Sequence, residues 1–109
     1  MILNFYLLLL DSEEEKDRFS QIYNTYRNLM YYVARRILND DYLAEDAVHN
    51  AFLKVVKHLD KIKEDLYCHK TKNFLVIIVE NTAKDIYNKQ KRDNVSLDSL
   101  EIDLPCDID

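Results

Sequence analysis

Between Tyr67 and Arg92 the chain combines aromatic, amide and basic side chains, the three kinds that binding of a single-stranded nucleic acid requires. Aromatic faces stack on unpaired bases, polar groups contact base edges, and cations follow the phosphate backbone. The candidates are Tyr67, His69 and Phe74 for stacking, Asn81 for base edges, and Lys70, Lys72, Lys84, Lys89, Lys91 and Arg92 for phosphates. Each has a structural alternative, because Phe74 also suits a core and lysines also solubilise a helix face.

The charge of the chain divides along its length. The formal net charge is −5, yet residues 54–92 hold 10 basic and 5 acidic residues, whereas residues 1–53 hold 5 basic and 9 acidic ones. Residues 93–109 hold 6 acidic residues and no basic one. A basic middle between acidic flanks predicts a local contact with a polyanion. From charge alone, a solvated lysine face explains the pattern equally well.

Nucleotide and metal chemistry have little support in this sequence. There is no glycine, which excludes the phosphate-binding loops of the Walker A and dinucleotide types. The only candidate metal ligands besides carboxylates are His49, His58, Cys68 and His69, and their spacing matches no zinc pattern. We therefore expect no metal, no cofactor and no enzymatic activity. Cys68 and Cys106 lack a nearby partner or a secretory signal, so we expect free thiols in a reducing cytoplasm.

The elements that must position these residues are predicted to be helices. The absence of glycine and the single proline, Pro105, disfavour hairpin-rich β folds. A chain of 109 residues that is 48% apolar supports one domain with one core. The expected fold class is therefore all-α.

Apolar spacing predicts where the first two helices lie. Ser12 and Glu15 have the spacing of a capping box, and apolar residues then recur at helical intervals to about Leu38. The "NDD" at 39–41 supplies a turn and a cap for a second helix that ends near Ile62. The opening "MILNFYLLLL" is too short to span a bilayer and is expected to pack as a short helix or a lead-in turn.

A third helix is predicted over residues 73–92. Residues 63–72 have no sustained period and are expected to form an irregular loop in which Thr71 is a candidate cap. Leu75, Ile78, Val79, Thr82, Ala83, Ile86 and Tyr87 then follow helical spacing. The apolar run 74–79 at the start of this helix is expected to be surrounded by other elements on nearly all sides.

Three motifs in order carry a family resemblance. The stretches "FSQIYNTYRNLMYYVARRIL", "YLAEDAVHNAFLKVVKHLDKI" and "FLVIIVENTAKDIYNKQKR" resemble region 2 of bacterial sigma-70 factors of the extracytoplasmic-function type. The likeness covers roughly residues 15–92. It implies a small three- to four-helix bundle, a domain over residues 1–92, and a role in transcription initiation.

The resemblance implies a docking site on the second helix. In that family this helix docks on the clamp helices of the β′ subunit of RNA polymerase, and "AEDAVHNAF" is similar to the docking motif. The implied polymerase-binding residues are Asp46, His49, Asn50 and Leu53. His49 and Asn50 replace the usual glutamine and a frequent glutamate, so the polar pairing must differ. As a structural alternative, Glu45 and Asp46 only favour the positive N-terminal turn of their helix.

The loop and the third helix resemble the parts that melt promoter DNA and recognise the minus-ten element on the non-template strand. Phe74 stands where the family usually has tryptophan, and Asn81 and Asp85 match its asparagine and aspartate. Glu80 and Asn88 stand where relatives often carry arginine, so phosphate attraction should be modest and salt-sensitive. Asn88 completes the candidate DNA-binding set. The alternative for Asn81 and Asp85 is a bond to each other across one turn.

The implied partners are core RNA polymerase, the minus-ten strand of promoter DNA and an anti-sigma protein, with no membrane. Residues 93–109 resemble the start of an acidic linker to a second DNA-binding domain, which this chain does not contain. A different class of function stays open, namely a helical protein-interaction module that uses the same apolar stripes and binds no nucleic acid.

Overall fold

The computed structural model describes residues 2–62 and 65–98, and the side chains of residues 3–62 and 65–92. Its elements are α1 (Ile2–Leu7), α2 (Glu13–Leu38), α3 (Asp41–Lys57), a 3₁₀ turn (Leu59–Lys61) and α4 (His69–Asp98). No strand occurs in these described ranges. The predicted all-α class and helix bundle are confirmed, and so is the short helix within "MILNFYLLLL".

The boundary between α2 and α3 forms without glycine. Asn39 adopts a left-handed conformation, with φ 55° and ψ 36°, and its N–H donates to the Arg35 carbonyl at 2.8 Å. Asparagine is one of the few residues that tolerate this conformation, so it ends α2 as glycine commonly does. Asp40 then caps α3, since its Oδ1 accepts from the Leu43 N–H at 2.9 Å. The predicted turn at 39–41 is confirmed.

The predicted capping box also opens α2. The Ser12 Oγ accepts from the Glu15 N–H at 3.1 Å, and the Glu15 Oε1 accepts from the Asp11 N–H at 3.3 Å. The Glu15 carboxylate thus bonds the N–H of Asp11, one residue before the cap, where a capping box uses the N–H of the cap itself. Both bonds satisfy N–H groups that have no partner inside a helix.

Helices α2, α3 and α4 pack against one another, and α1 packs on α2 and α3. Below α1 the core is aromatic, because the rings of Tyr6, Phe19, Tyr23 and Phe52 lie with centroids 4.9 to 6.2 Å apart. Tyr6 is 1% exposed and Phe19 and Phe52 are fully buried. Such pairs stabilise beyond their buried area, so α1 is firmly attached to the bundle.

The second helix ends earlier than its apolar pattern indicates. We predicted an end near Ile62, but α3 ends at Lys57 and a 3₁₀ turn follows. In a 3₁₀ turn, residues three apart point in the same direction. Leu59 and Ile62 are both buried, so the tighter winding directs both of them into the core.

The third helix begins earlier and ends later than predicted. It starts at His69 because the Cys68 carbonyl accepts from the Lys72 N–H at 3.1 Å, and it runs to Asp98. Thr71 is therefore no cap. It is buried in the first turn, where its hydroxyl donates to the Asp65 carbonyl at 2.9 Å. Residues 99–109 of the predicted linker lie outside the described residues.

The apolar run 74–79 is not surrounded on all sides, so that expectation was wrong. Leu75 and Val79 are fully buried, whereas Phe74 and Ile78 are half-buried and Ile77 is 54% exposed. The reason is that α2 and α3 both pack on the same side of α4. One flank of an apolar segment thus remains available to a ligand or a partner.

Candidate functional site

A groove runs between the end of α3 and the middle of α4. Its volume is about 320 Å³, and its lining comprises Lys54, His58, Lys61, Phe74, Ile78 and Asn81. The α3 side supplies positions 54 and 58, one turn apart, with Lys61 from the following turn. The α4 side supplies positions 74, 78 and 81, which share one helical face. The groove thus combines a phenyl ring, one amide and three basic side chains.

Two residues predicted from sequence meet in this groove. Phe74 is half-buried, so its ring packs against the core on one side and borders the groove on the other. Asn81 is exposed. Within the described residues its side chain makes no hydrogen bond to Asp85 or to any other protein group. Its amide is therefore available to a ligand.

The three basic residues that line the groove, Lys54, His58 and Lys61, were not predicted from sequence as binding residues. Lys54 is held in place because its Nζ donates to the Thr82 Oγ1 at 3.0 Å, and that hydroxyl donates to the Ile78 carbonyl at 2.8 Å. His58 and Lys61 are exposed beside it. Their one sequence signal is that Lys54 and His58 are one turn apart, on the flank of α3 opposite the acidic Glu45. Which flank of α3 faces α4 depends on tertiary packing, so this signal alone does not predict a groove.

The remaining candidates on α4 separate into two adjoining lines. Phe74, Asn81 and Asn88 recur every seven residues, which nearly repeats a direction on a helix, and Arg92 lies five turns from Phe74. A neighbouring line at the same spacing contains Lys70, Ile77, Lys84 and Lys91. Lys72 points away from both lines, and Lys89 lies beside the first line on the side opposite the second. The eleven candidate residues therefore do not form one continuous surface along α4.

Tyr67 and His69 do not line the groove. The Tyr67 N–H donates to the Asp65 Oδ1 at 2.8 Å, and its hydroxyl donates to the Gln21 Oε1 on α2 at 3.3 Å. Its ring is exposed. His69 is exposed in the first turn of α4. Both side chains therefore lie at the start of α4 and outside the groove, and Tyr67 contacts α2.

Side chains of α2 fix the segment that leads into α4. The Tyr26 hydroxyl donates to the Leu66 carbonyl at 2.6 Å, and the Arg18 guanidinium donates to the Ile62 carbonyl. Burial raises the pKa of Tyr26, so its phenol stays a protonated donor. The described ends of the segment, on either side of residues 63 and 64, are thus attached to α2.

The candidate docking residues occupy one side of α3. Asp46 is exposed, and His49, Asn50 and Leu53 are half-buried at helical spacing. His49 does not stand free, because its Nδ1 lies 2.7 Å from the Tyr6 hydroxyl. The structure thus brings the four residues together and adds a contact with α1 that the sequence did not indicate.

The described residues were also searched for metal-binding groups and for membrane-spanning helices. In residues 2–62 and 65–98, no group of three or more His, Cys, Asp or Glu side chains has the arrangement of a metal site. Across the same ranges, every helix is too short or too polar to cross a bilayer.

Comparison with known proteins gives one match. The family model described as Sigma-70 region 2 matches residues 22–93, which is 72 of the 109 residues. It therefore spans most of α2, all of α3 and most of α4. Searches of curated proteins and of solved structures gave no significant match.

Proposed function

This chain belongs to the sigma-70 region 2 family, a domain of transcription initiation factors and not of enzymes, and we propose that it opens the promoter minus-ten element while docked on core RNA polymerase. The family interacts in general with the polymerase and with promoter DNA. The observation that carries the finer proposal is the groove between α3 and α4, where Phe74 and Asn81 meet three basic side chains.

The first step is docking through α3. Asp46, with Glu45 beside it, presents carboxylates to cations of the β′ clamp helices, and Leu53 adds apolar surface one turn after His49. Opposite charges across an interface speed the encounter and fix its orientation. The β′ subunit thereby places α4 against the promoter. Since the polymerase acts in the cytoplasm, we expect this protein to act there too.

The second step is capture of the non-template strand. An unpaired base enters the groove, stacks on the exposed part of the Phe74 ring and hydrogen-bonds through its edge to the Asn81 amide. Lys54 and Lys61 neutralise the adjoining phosphates, and the His58 ring is a further hydrogen-bonding group beside them. Because these contacts require an unpaired base, they favour the open strand over the duplex and so support melting.

The test uses the complete chain bound to core polymerase. Promoter fragments with a pre-opened minus-ten region are titrated, and affinity is measured by fluorescence anisotropy. We expect Asn81→Ala to weaken binding by roughly 5- to 150-fold, the range for a lost base contact of about 1–3 kcal/mol. Asn73→Ala is the matched control, because Asn73 is exposed on the same helix and outside the groove.

The outcome separates this proposal from its alternative. Equal affinities for the Asn81 and Asn73 variants would remove the groove from DNA recognition. Absence of DNA binding by a wild-type complex that still contains polymerase would favour a protein-interaction module. We expect an anti-sigma protein that covers α3 to compete with the polymerase, and one that covers the groove to compete with DNA.

A further inference from the structure

Helix α1 is apolar on two sides. Tyr6 and Leu10 are buried, and Leu3 and Leu7 pack against the core. On the other side, Phe5, Leu8 and Leu9 are 47%, 82% and 50% exposed. These three have the spacing i, i+3 and i+4, so they form one face of the helix and the turn after it. An exposed apolar face of this kind marks an interaction site.

This face is continuous with the candidate docking residues of α3. The Phe5 ring lies 5.8 Å from the His49 imidazole, between centroids. The next residue, Tyr6, is buried among Phe19, Tyr23 and Phe52, and its hydroxyl lies 2.7 Å from the His49 Nδ1. Tyr6 therefore fixes α1 against α3 at the residue that belongs to the docking motif.

We infer that Phe5, Leu8 and Leu9 of α1 extend the polymerase-docking surface of α3, so that the β′ clamp helices contact both helices. The inference rests on the proposed function. The family match begins at residue 22, so it does not include α1. Within the composite surface, Tyr6 is a positioning residue, because it holds His49 and Phe5 side by side.

Charge complementarity favours this occupant over an acidic membrane surface. Residues 1–53 hold 5 basic and 9 acidic residues, a net charge of −4. Asp11, Glu13 and Glu14 follow α1 and are exposed, as are Glu45 and Asp46 on α3. An apolar face with acidic residues on either side matches a partner that is both apolar and basic, and it repels acidic lipid.

The experiment measures binding of the complete chain to core RNA polymerase. The test variant is Leu8→Ser with Leu9→Ser, since both side chains are at least half exposed and their loss leaves the core intact. Tyr87→Ser is the control, because Tyr87 is 41% exposed on α4 and lies outside the groove and both lines of candidate residues. Asp46→Arg reports separately on α3. Thermal unfolding verifies that each variant keeps the wild-type fold.

We expect the α1 double variant to bind about tenfold more weakly than wild type, and Tyr87→Ser to bind like wild type. Unchanged binding of the double variant, with binding lost in Asp46→Arg, would overturn the role of α1 and leave the proposed function standing. Self-association that disappears in the double variant, with unchanged polymerase binding, would assign the face to a second copy instead. No binding by folded wild type would overturn both proposals.

Discussion

Cys68 immediately precedes α4, and the pKa of its thiol is lowered. The backbone N–H of Thr71, which has no partner within the helix, lowers the pKa of Cys68 by donating to its sulfur. The side chain is half-buried and free of a disulfide, as the sequence predicted for it; Cys106 lies outside the described residues. A thiolate at this position is stabilised in the same way as an acidic cap.

The lowered pKa of Cys68 makes the free energy of unfolding depend on pH. A group whose pKa is lower in the folded state stabilises the fold above its unfolded pKa, and this contribution disappears as the pH falls through the folded pKa. In a Cys106→Ser background, we expect the alkylation rate of Cys68 to rise at lower pH in folded protein than in urea-unfolded protein. Iodoacetamide kinetics over a pH series measure both midpoints. Coincident midpoints would contradict the proposed helix-terminus contact.

Asn81 and Phe74 illustrate what residue types alone can predict. Both were selected from sequence, and both line the groove. The partners Lys54, His58 and Lys61 were not selected, because their role depends on the orientation of α3 relative to α4. Residue type indicates the chemistry available to a ligand, whereas packing decides which groups converge.

Among the elements, α2 does more than fill the core. Its polar side chains hold the segment before α4, with Tyr26 bound to the Leu66 carbonyl and Gln21 to the Tyr67 hydroxyl. These bonds differ in burial, since Tyr26 is 6% exposed and Tyr67 is 63% exposed. The position of the segment that leads into the candidate DNA-binding helix thus depends on α2.

Because Tyr26 is buried and Tyr67 is exposed, removal of each hydroxyl gives a matched pair of variants. Tyr26→Phe removes a donor from a buried carbonyl, so we expect a loss of about 1–3 kcal/mol in the free energy of unfolding. Tyr67→Phe removes an exposed hydroxyl and should cost less than about 0.5 kcal/mol. Urea unfolding followed by circular dichroism measures both. Equal losses would show that the Tyr26 bond does not anchor the segment.

Helix existence was predictable from sequence, but three helix ends were not, namely the end of α3 and both ends of α4. Capping residues with their own side-chain bonds, Ser12 and Asp40, gave correct starts. The end of α3 and the start of α4 depend on Leu59, Ile62 and Thr71 turning into a core that the neighbouring helices create. Local periodicity carries no information about that core.

At the scale of the molecule, α3 connects two surfaces. One side of α3 presents Asp46 and the α1 contact at His49, and the flank toward α4 presents Lys54 to the groove. One rigid helix therefore links the candidate polymerase surface to the candidate DNA surface. Docking on one surface would fix the position of the other, as the proposed function requires.

Docking of α3 on the polymerase can be measured as binding of the chain to a β′ clamp-helix fragment. We expect a micromolar or tighter Kd for wild type and for Asp85→Arg, a matched charge reversal at an exposed position of α4. Asp46→Arg should weaken binding at least about tenfold, because it places a cation against the basic partner. Equal affinity of the two variants, or no binding by folded wild type, would contradict docking on the polymerase through α3.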